Sequence, residues 1–317
     1  MLSFALKTAA IIAALANASP LSKRQTPACT TISQRVPWTN LTSEEKTSYI
    51  NADLCLINAP SKTGFEGAVS RWDDLQWPHG SFYACMTIEI SITNSRSYVH
   101  SVGAFLPFHR YYMTVHERAI RQECGYTGRI PYWDEVNEVS DLAGSDLWKD
   151  EYFGGNGVGT SRCVQDGPFA SLVLRWQLNG QVGDHCLTRN FNQNSFNAAA
   201  QSNIDRCNAI DSFTEARSCW EGSPHSAGHG GVGGILWWEW QKLDPENRMY
   251  DMAGTNLPAR LGNVNHAIVD YFNDGGNQTT LNHTLYMDGL AELAPNITIN
   301  DIMDLNGEVI CAEYINV

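Results

Sequence analysis

His100-Ser101-Val102-Gly103-Ala104-Phe105-Leu106-Pro107-Phe108-His109-Arg110-Tyr111-Tyr112-Met113-Thr114-Val115-His116-Glu117, running on to Cys124 and Gly125, is the stretch whose reading decides the fold. Pro107 suits the first turn of a helix, where a missing N–H costs nothing. Phe108, Tyr112, Val115, Ala119 and Ile120 recur at helical spacing, while Arg110, Glu117, Arg118 and Arg121 take the other sides. Gly125 ends the helix. His100 therefore stands in the loop before a helix and His109 stands near its start. His116 lies seven residues beyond His109, about 10 Å further along the axis, too far to share one metal ion with it.

Outward from this helix, residues 41–57 read as a second one, capped by Thr42 or Ser43 and with acids in its first turn. Residues 141–210 are rich in Gly, Asn and Ser and read as long loops, with one apolar stretch from Phe169 to Trp176. Further on, Pro224-His225-Ser226-Ala227-Gly228-His229-Gly230 places two histidines four residues apart. On a helix both imidazoles project from one face, the spacing that binds one metal ion through two ring nitrogens. Glycines at 228, 230, 231, 233 and 234 weaken that helix and let another element approach closely. A zinc-protease reading does not suit the pair, since Ser226 stands where such a helix carries Glu. His185, beside Cys186, reads as structural, and His283, inside a glycosylation sequon, is expected to be exposed.

The chain has 317 residues, a formal net charge of -13 and a pI near 5.0. That acidity argues against a nucleic-acid partner or an anionic membrane surface, and no apolar run after the first residues is long enough to span a bilayer. Residues 1–18 read as a secretory signal ending Ala16-Asn17-Ala18, and Lys23-Arg24 marks a short propeptide at 19–24. Sequons at Asn40, Asn277, Asn282 and Asn296 fit a secreted, extracellular glycoprotein. Nine cysteines in an oxidising compartment leave one unpaired. The expected pairs are Cys29–Cys311, Cys55–Cys124, Cys163–Cys186 and Cys207–Cys219, with Cys85 left over; spacing alone does not force this connectivity.

His100, four residues, Phe105-Leu106-Pro107-Phe108-His109-Arg110, six residues, Glu117 resembles the first copper-site signature of the tyrosinase, catechol oxidase and haemocyanin family. Asp73-Asp74, four residues, His79 resembles the segment carrying that family's first copper histidine, and Pro131-Tyr132-Trp133 is a further family-like stretch read as packing. The resemblance covers roughly residues 25–317. It implies a mainly α fold, a four-helix bundle around a binuclear copper site with long disulfide-held loops. It implies two copper ions, one held by His79, His100 and His109, the other by His225, His229 and a third histidine. It further implies a polyphenol oxidase of the catechol oxidase or tyrosinase type. Such an enzyme is a type-3 copper oxidoreductase that turns phenols or o-diphenols into o-quinones with dioxygen as the second substrate, and this one is expected to be a monomer.

Ser226 and Gly230 are then substrate-pocket positions. Ser226, in place of an Asn found in many monophenol hydroxylases, favours diphenols. Glu117 is read as a partner for an Arg rather than a base. Two departures stand out. Residues 80–96 lengthen the gap between His79 and His100, and the Asp-Pro…His-His segment expected before Trp237-Trp238-Glu239-Trp240-Gln241 is missing. Both are read either as real or as gene-model errors. His266, with Asp270 four residues on, is a weak substitute for the missing third histidine. The alternative reading is a non-catalytic secreted protein on the same scaffold, without a complete second copper site.

Overall fold

The structure is a computed structural model that describes residues 29–84, 99–176, 182–228, 233–257, 273–287 and 289–315. The expected signal (1–18) and propeptide (19–24), Cys85, most of the 80–96 segment, His229, Gly230 and His266 lie outside the described residues.

Helix α3 (Phe105–Cys124) is the axis of the fold. Pro107 sits in its first turn, and Gly125 closes it at φ 67°, a left-handed conformation that glycine adopts without a Cβ penalty. One flank is buried from end to end: Phe105, Leu106, Phe108, Tyr111, Val115, Ala119 and Ile120 are all at most 1% exposed. Helix α1 (Ser43–Asn58) begins at a full capping box, in which the Thr42 side chain accepts from the Glu45 N–H and Glu45 accepts from the Thr42 N–H. α1 packs along α3 and against α2 (Arg71–Ala84). The sequence-expected α1 boundaries hold within a residue or two.

Two aspartates anchor the start of α2. Asp73 accepts from the Val69 and Ser70 backbone N–H groups. Asp74, fully buried, accepts from Ser61, Thr63, the Lys62 N–H and the Arg71 guanidinium. Arg71 reaches on to Glu123 near the end of α3, at 2.7 and 2.9 Å. Pro78 sits inside α2 and withholds one helical N–H.

On the other side of α3 lies α9 (Gly233–Leu243), reached after α4 (Glu135–Glu138), α5 (Gln193–Phe196), α6 (Gln201–Asn208), α7 (Phe213–Gly222) and α8 (Pro224–Gly228); α10 (Pro245–Arg248) follows it. Trp237 and Trp240 of α9 and Trp220 of α7 are completely buried in the core built on α3. The segment read as loops contains α5 and α6, so it carries more helix than its Gly, Asn and Ser content suggested. α6 is amphipathic only over two turns, with Ile204 and Cys207 as its buried positions.

Strand β1 (Ser33–Pro37) pairs in parallel with β2 (Ile130–Tyr132) and β7 (Ala312–Tyr314). Arg35 is opposite both Ile130 and Tyr314. The hairpin β3 (Val173–Trp176) and β4 (Val182–Cys186) turns the Phe169–Trp176 stretch into antiparallel strands, and β5 (Thr284–Leu285) pairs with β6 (Ile297–Thr298). All four expected disulfides form: Cys29–Cys311, Cys55–Cys124, Cys163–Cys186 and Cys207–Cys219. The fold is the expected mainly helical one with disulfide-held loops.

Candidate metal centre

His79 comes from α2, His100 from the loop before α3, and His109 from the second turn of α3. Their ring centroids are 5.0 Å (His79–His100), 5.4 Å (His79–His109) and 5.1 Å (His100–His109) apart. One nitrogen from each lies within 4.8 Å of the others, and no second group of three such donors occurs among the described residues. The length of α2 and the anchoring of its start by Asp73 and Asp74 decide where His79 arrives.

His109 shows how the chain readies a ligand. Its Nδ1 lies 2.7 Å from the Phe105 carbonyl oxygen; donating there, it leaves Nε2 as the lone-pair nitrogen. Burial, reinforced by the neighbouring His79 and His100, holds its pKa well below the usual histidine value, so the ring is neutral and able to bind a metal. Aromatic rings wall the cluster. Phe105 lies 4.8 Å from His109 and 5.6 Å from His100, and Tyr112 stacks on both His79 and Phe108. The Tyr112 hydroxyl donates to the Leu75 carbonyl, tying α3 to α2 beside the site.

His225 is buried on α8, with its ring 4.9 Å from Phe105 and 6.4 Å from His109. Phe105 thus touches both the three-histidine cluster and His225. Ser226 is exposed, and its hydroxyl donates to the Gly222 and Ser223 carbonyls of its own chain turn. His116 bonds Asp53 at 2.8 Å, and Glu117 pairs with Arg121 and Arg35, as partners within the scaffold. His185 is half-buried beside the Gly183 carbonyl. His283 corrects an expectation: it is buried against Asp274 at 2.6 Å, although Asn282 beside it is exposed. A sequon marks the asparagine, and the next side chain points the opposite way.

Sequence reasoning passed over Glu135, which follows Pro131-Tyr132-Trp133-Asp134 and looks like an ordinary acid at a helix start. It is 2% exposed, and neither carboxyl oxygen has a hydrogen-bond partner among the described residues. Burial, aided by the Asp134 charge, pushes its pKa up to about 8. The only available signal was a second acid, next to Asp134, a few residues after an apolar strand.

Three half-buried imidazoles with a fixed tautomer at His109 suit a copper ion, since imidazole is a natural donor to it. For a second ion held by three imidazoles, His225 is the one donor that the described residues supply.

A profile of the common central domain of tyrosinase matches residues 69–268. The tyrosinase ustQ of Aspergillus flavus is 30% identical over 325 residues, covering 91% of this chain and 81% of the relative. The tyrosinase-like protein phomQ2 of Diaporthe leptostromiformis is 28% identical over 329 residues, covering 93% and 76%. A polyphenol oxidase from Thermothelomyces thermophila, solved as a point mutant, shares the fold with a TM-score of 0.70 at 22% identity, over 92% of this chain and 91% of that one.

Proposed function

The chain belongs to the tyrosinase family, and we propose on that premise that it is a secreted polyphenol oxidase that turns o-diphenols into o-quinones with dioxygen. The observation that carries this reading is the convergence of His79, His100 and His109 into one half-buried donor set. The mature domain is residues 25–317, released from the signal at 1–18 and the propeptide at 19–24. Four disulfides and exposed sequons at Asn40, Asn277, Asn282 and Asn296 suit an extracellular glycoprotein. Among the described residues no helix is long and apolar enough to cross a membrane.

Copper, cycling between one-electron states, supplies the redox couple between phenol and dioxygen. The protein's residues do the rest. His79, His100 and His109 hold one ion, while His225 and His229 contribute to the other. The His109 Nδ1–H donated to Phe105 leaves Nε2 as the lone-pair nitrogen for the ion. Phe105, Phe108 and Tyr112 pack around the imidazoles and orient them. Ser226 and Gly230 are the proposed substrate-pocket positions. The balance is two o-diphenols, each losing two electrons and two protons, against one dioxygen reduced to two waters. A single domain of this kind suits a monomer.

The test is oxygen uptake and quinone absorbance with catechol on copper-loaded, purified chain. One dioxygen consumed for two catechols is expected, lost on chelation. Protein that holds two coppers yet leaves catechol unoxidised refutes the reading. One observation favours the alternative, a non-catalytic tyrosinase-like protein: the sequence lacks the Asp-Pro…His-His segment that would carry the third histidine of the second site. That protein would bind at most one copper and consume no oxygen.

A further inference from the structure

His100 stands in the loop before α3, and the residue after it has an unusual backbone. Ser101 has φ 61°, in the left-handed region, although it is not a glycine. Its Cβ makes that conformation costly, and such a residue keeps it only where its surroundings hold it there. The holding group is Glu221, near the end of α7, whose Oε1 accepts the Ser101 backbone N–H at 2.6 Å. A charged acceptor makes a stronger hydrogen bond than a neutral one. Glu221 is itself steadied by Arg217, one helical turn back on α7, which is buried and donates to its Oε2. On either side of the turn Val99 and Val102 are buried, and the Gly103 N–H donates to the Thr255 carbonyl at 3.0 Å. Ser101 itself is exposed, so packing of its own side chain does not account for the turn.

We propose that Glu221 is a positioning residue for the first ion: by holding Ser101 left-handed, it sets the direction from which His100 meets His79 and His109. The inference rests on the copper reading of that cluster. The His100 ring lies 5.0 Å from that of His79 and 5.1 Å from that of His109. A metal site tolerates about 0.2 Å in its bond lengths. Relaxing a backbone dihedral at the adjacent residue displaces an imidazole by more than that. Strain at Ser101 is therefore placed where it serves the geometry of a ligand. Glu221 also lies four residues before His225, so one carboxylate ties the segment that carries His225 to the loop that carries His100.

The experiment measures the dissociation constant of the tighter copper in the full chain, by competition with a chromophoric chelator. Circular dichroism on the same samples confirms that each chain is folded. Glu221→Ala should weaken that copper at least about ten-fold, as loss of a group that orients a ligand does. Ser101→Gly adopts the left-handed turn without a Cβ penalty, so it should bind within about three-fold of wild type. The double variant Glu221→Ala with Ser101→Gly should recover most of the lost affinity, a rescue that a merely structural role for Glu221 does not produce. If Glu221→Ala does not fold, Ser101→Val leaves Glu221 in place and changes only an exposed side chain. A β-branched residue resists positive φ, so this variant too should weaken the copper about ten-fold. Wild-type affinity in Glu221→Ala or in Ser101→Val overturns the proposal, as does a double variant no better than Glu221→Ala. No copper in wild type removes the copper reading and this inference together. Copper held by wild type without catechol oxidation, and with the expected pattern among the variants, removes the oxidase reading alone.

Discussion

Arg110, the residue after His109, is fully buried and makes no ion pair among the described residues. Its Nη1 donates to the carbonyls of Ile302 at 3.1 Å and Met303 at 2.8 Å, and its Nη2 donates to Gln241 Oε1 at 2.9 Å. The guanidinium carbon lies 3.7 Å from the centre of the Trp237 ring. Burial lowers its pKa to about 9, so it remains charged at neutral pH. One cation thus joins α3 to α9 and to the C-terminal segment. Arg110→Lys keeps the charge and loses the fork, so at least two of the three charge-assisted bonds go, at about 1.5–3 kcal/mol each. The expected loss is about 3–6 kcal/mol, a large share of the roughly 5–15 kcal/mol that folded domains possess. Arg110→Met orphans the Ile302 carbonyl and Gln241 Oε1, but it also removes a buried charge whose desolvation costs several kcal/mol. Gln241 Nε2 still serves Met303. Met should therefore be the milder change. The assay is urea unfolding of the metal-free protein by far-ultraviolet circular dichroism, which keeps metal linkage out of the comparison. A loss under about 1 kcal/mol for Arg110→Lys, or a Met variant worse than Lys, would mean that the fork does not hold these elements together.

Removing Cys55–Cys124, which closes a separation of 69 residues, should cost about 4 kcal/mol by loop entropy while leaving copper at the first cluster of the folded fraction; loss of that copper without loss of stability would contradict it. Gly228→Ala should destabilise by about 1–3 kcal/mol through overpacking against Glu135, whereas an open helical site would gain from the same change; a raised melting temperature refutes the contact. The pKa of His116 is raised, because burial opposes its charge but Asp53 at 2.8 Å outweighs it. Its contribution is complete below the unfolded value near 6.5 and fades as pH rises through the higher folded value. The stability gap between wild type and Asp53→Asn should accordingly be wider at pH 6 than at pH 9, and a gap flat in pH rules the pair out as its source.

The elements legible in the sequence are those made by neighbours a few residues apart. The Thr42–Glu45 cap of α1, Pro107 in the first turn of α3, the apolar stripe from Phe108 to Ile120 and the Gly125 stop are local physics, readable at a spacing of three or four. The histidines of the first cluster were legible by their pattern; that the cysteines pair followed from the compartment, while their connectivity was not forced by spacing. What tertiary structure alone decided depends on groups remote in the chain. β1 and β7 pair across the whole molecule, Arg35 opposite Tyr314. Arg71 closes on Glu123 and fixes α2, and with it His79, against α3. The burial of His283 on Asp274 and of Glu135 on Gly228 likewise follows from packing that a neighbouring residue type does not encode. The sequence by itself determined which side chains are candidate ligands and which helix carries His109. The tertiary structure decided which of them meet, because burial and long-range pairing depend on how elements pack and not on the order in which they are strung.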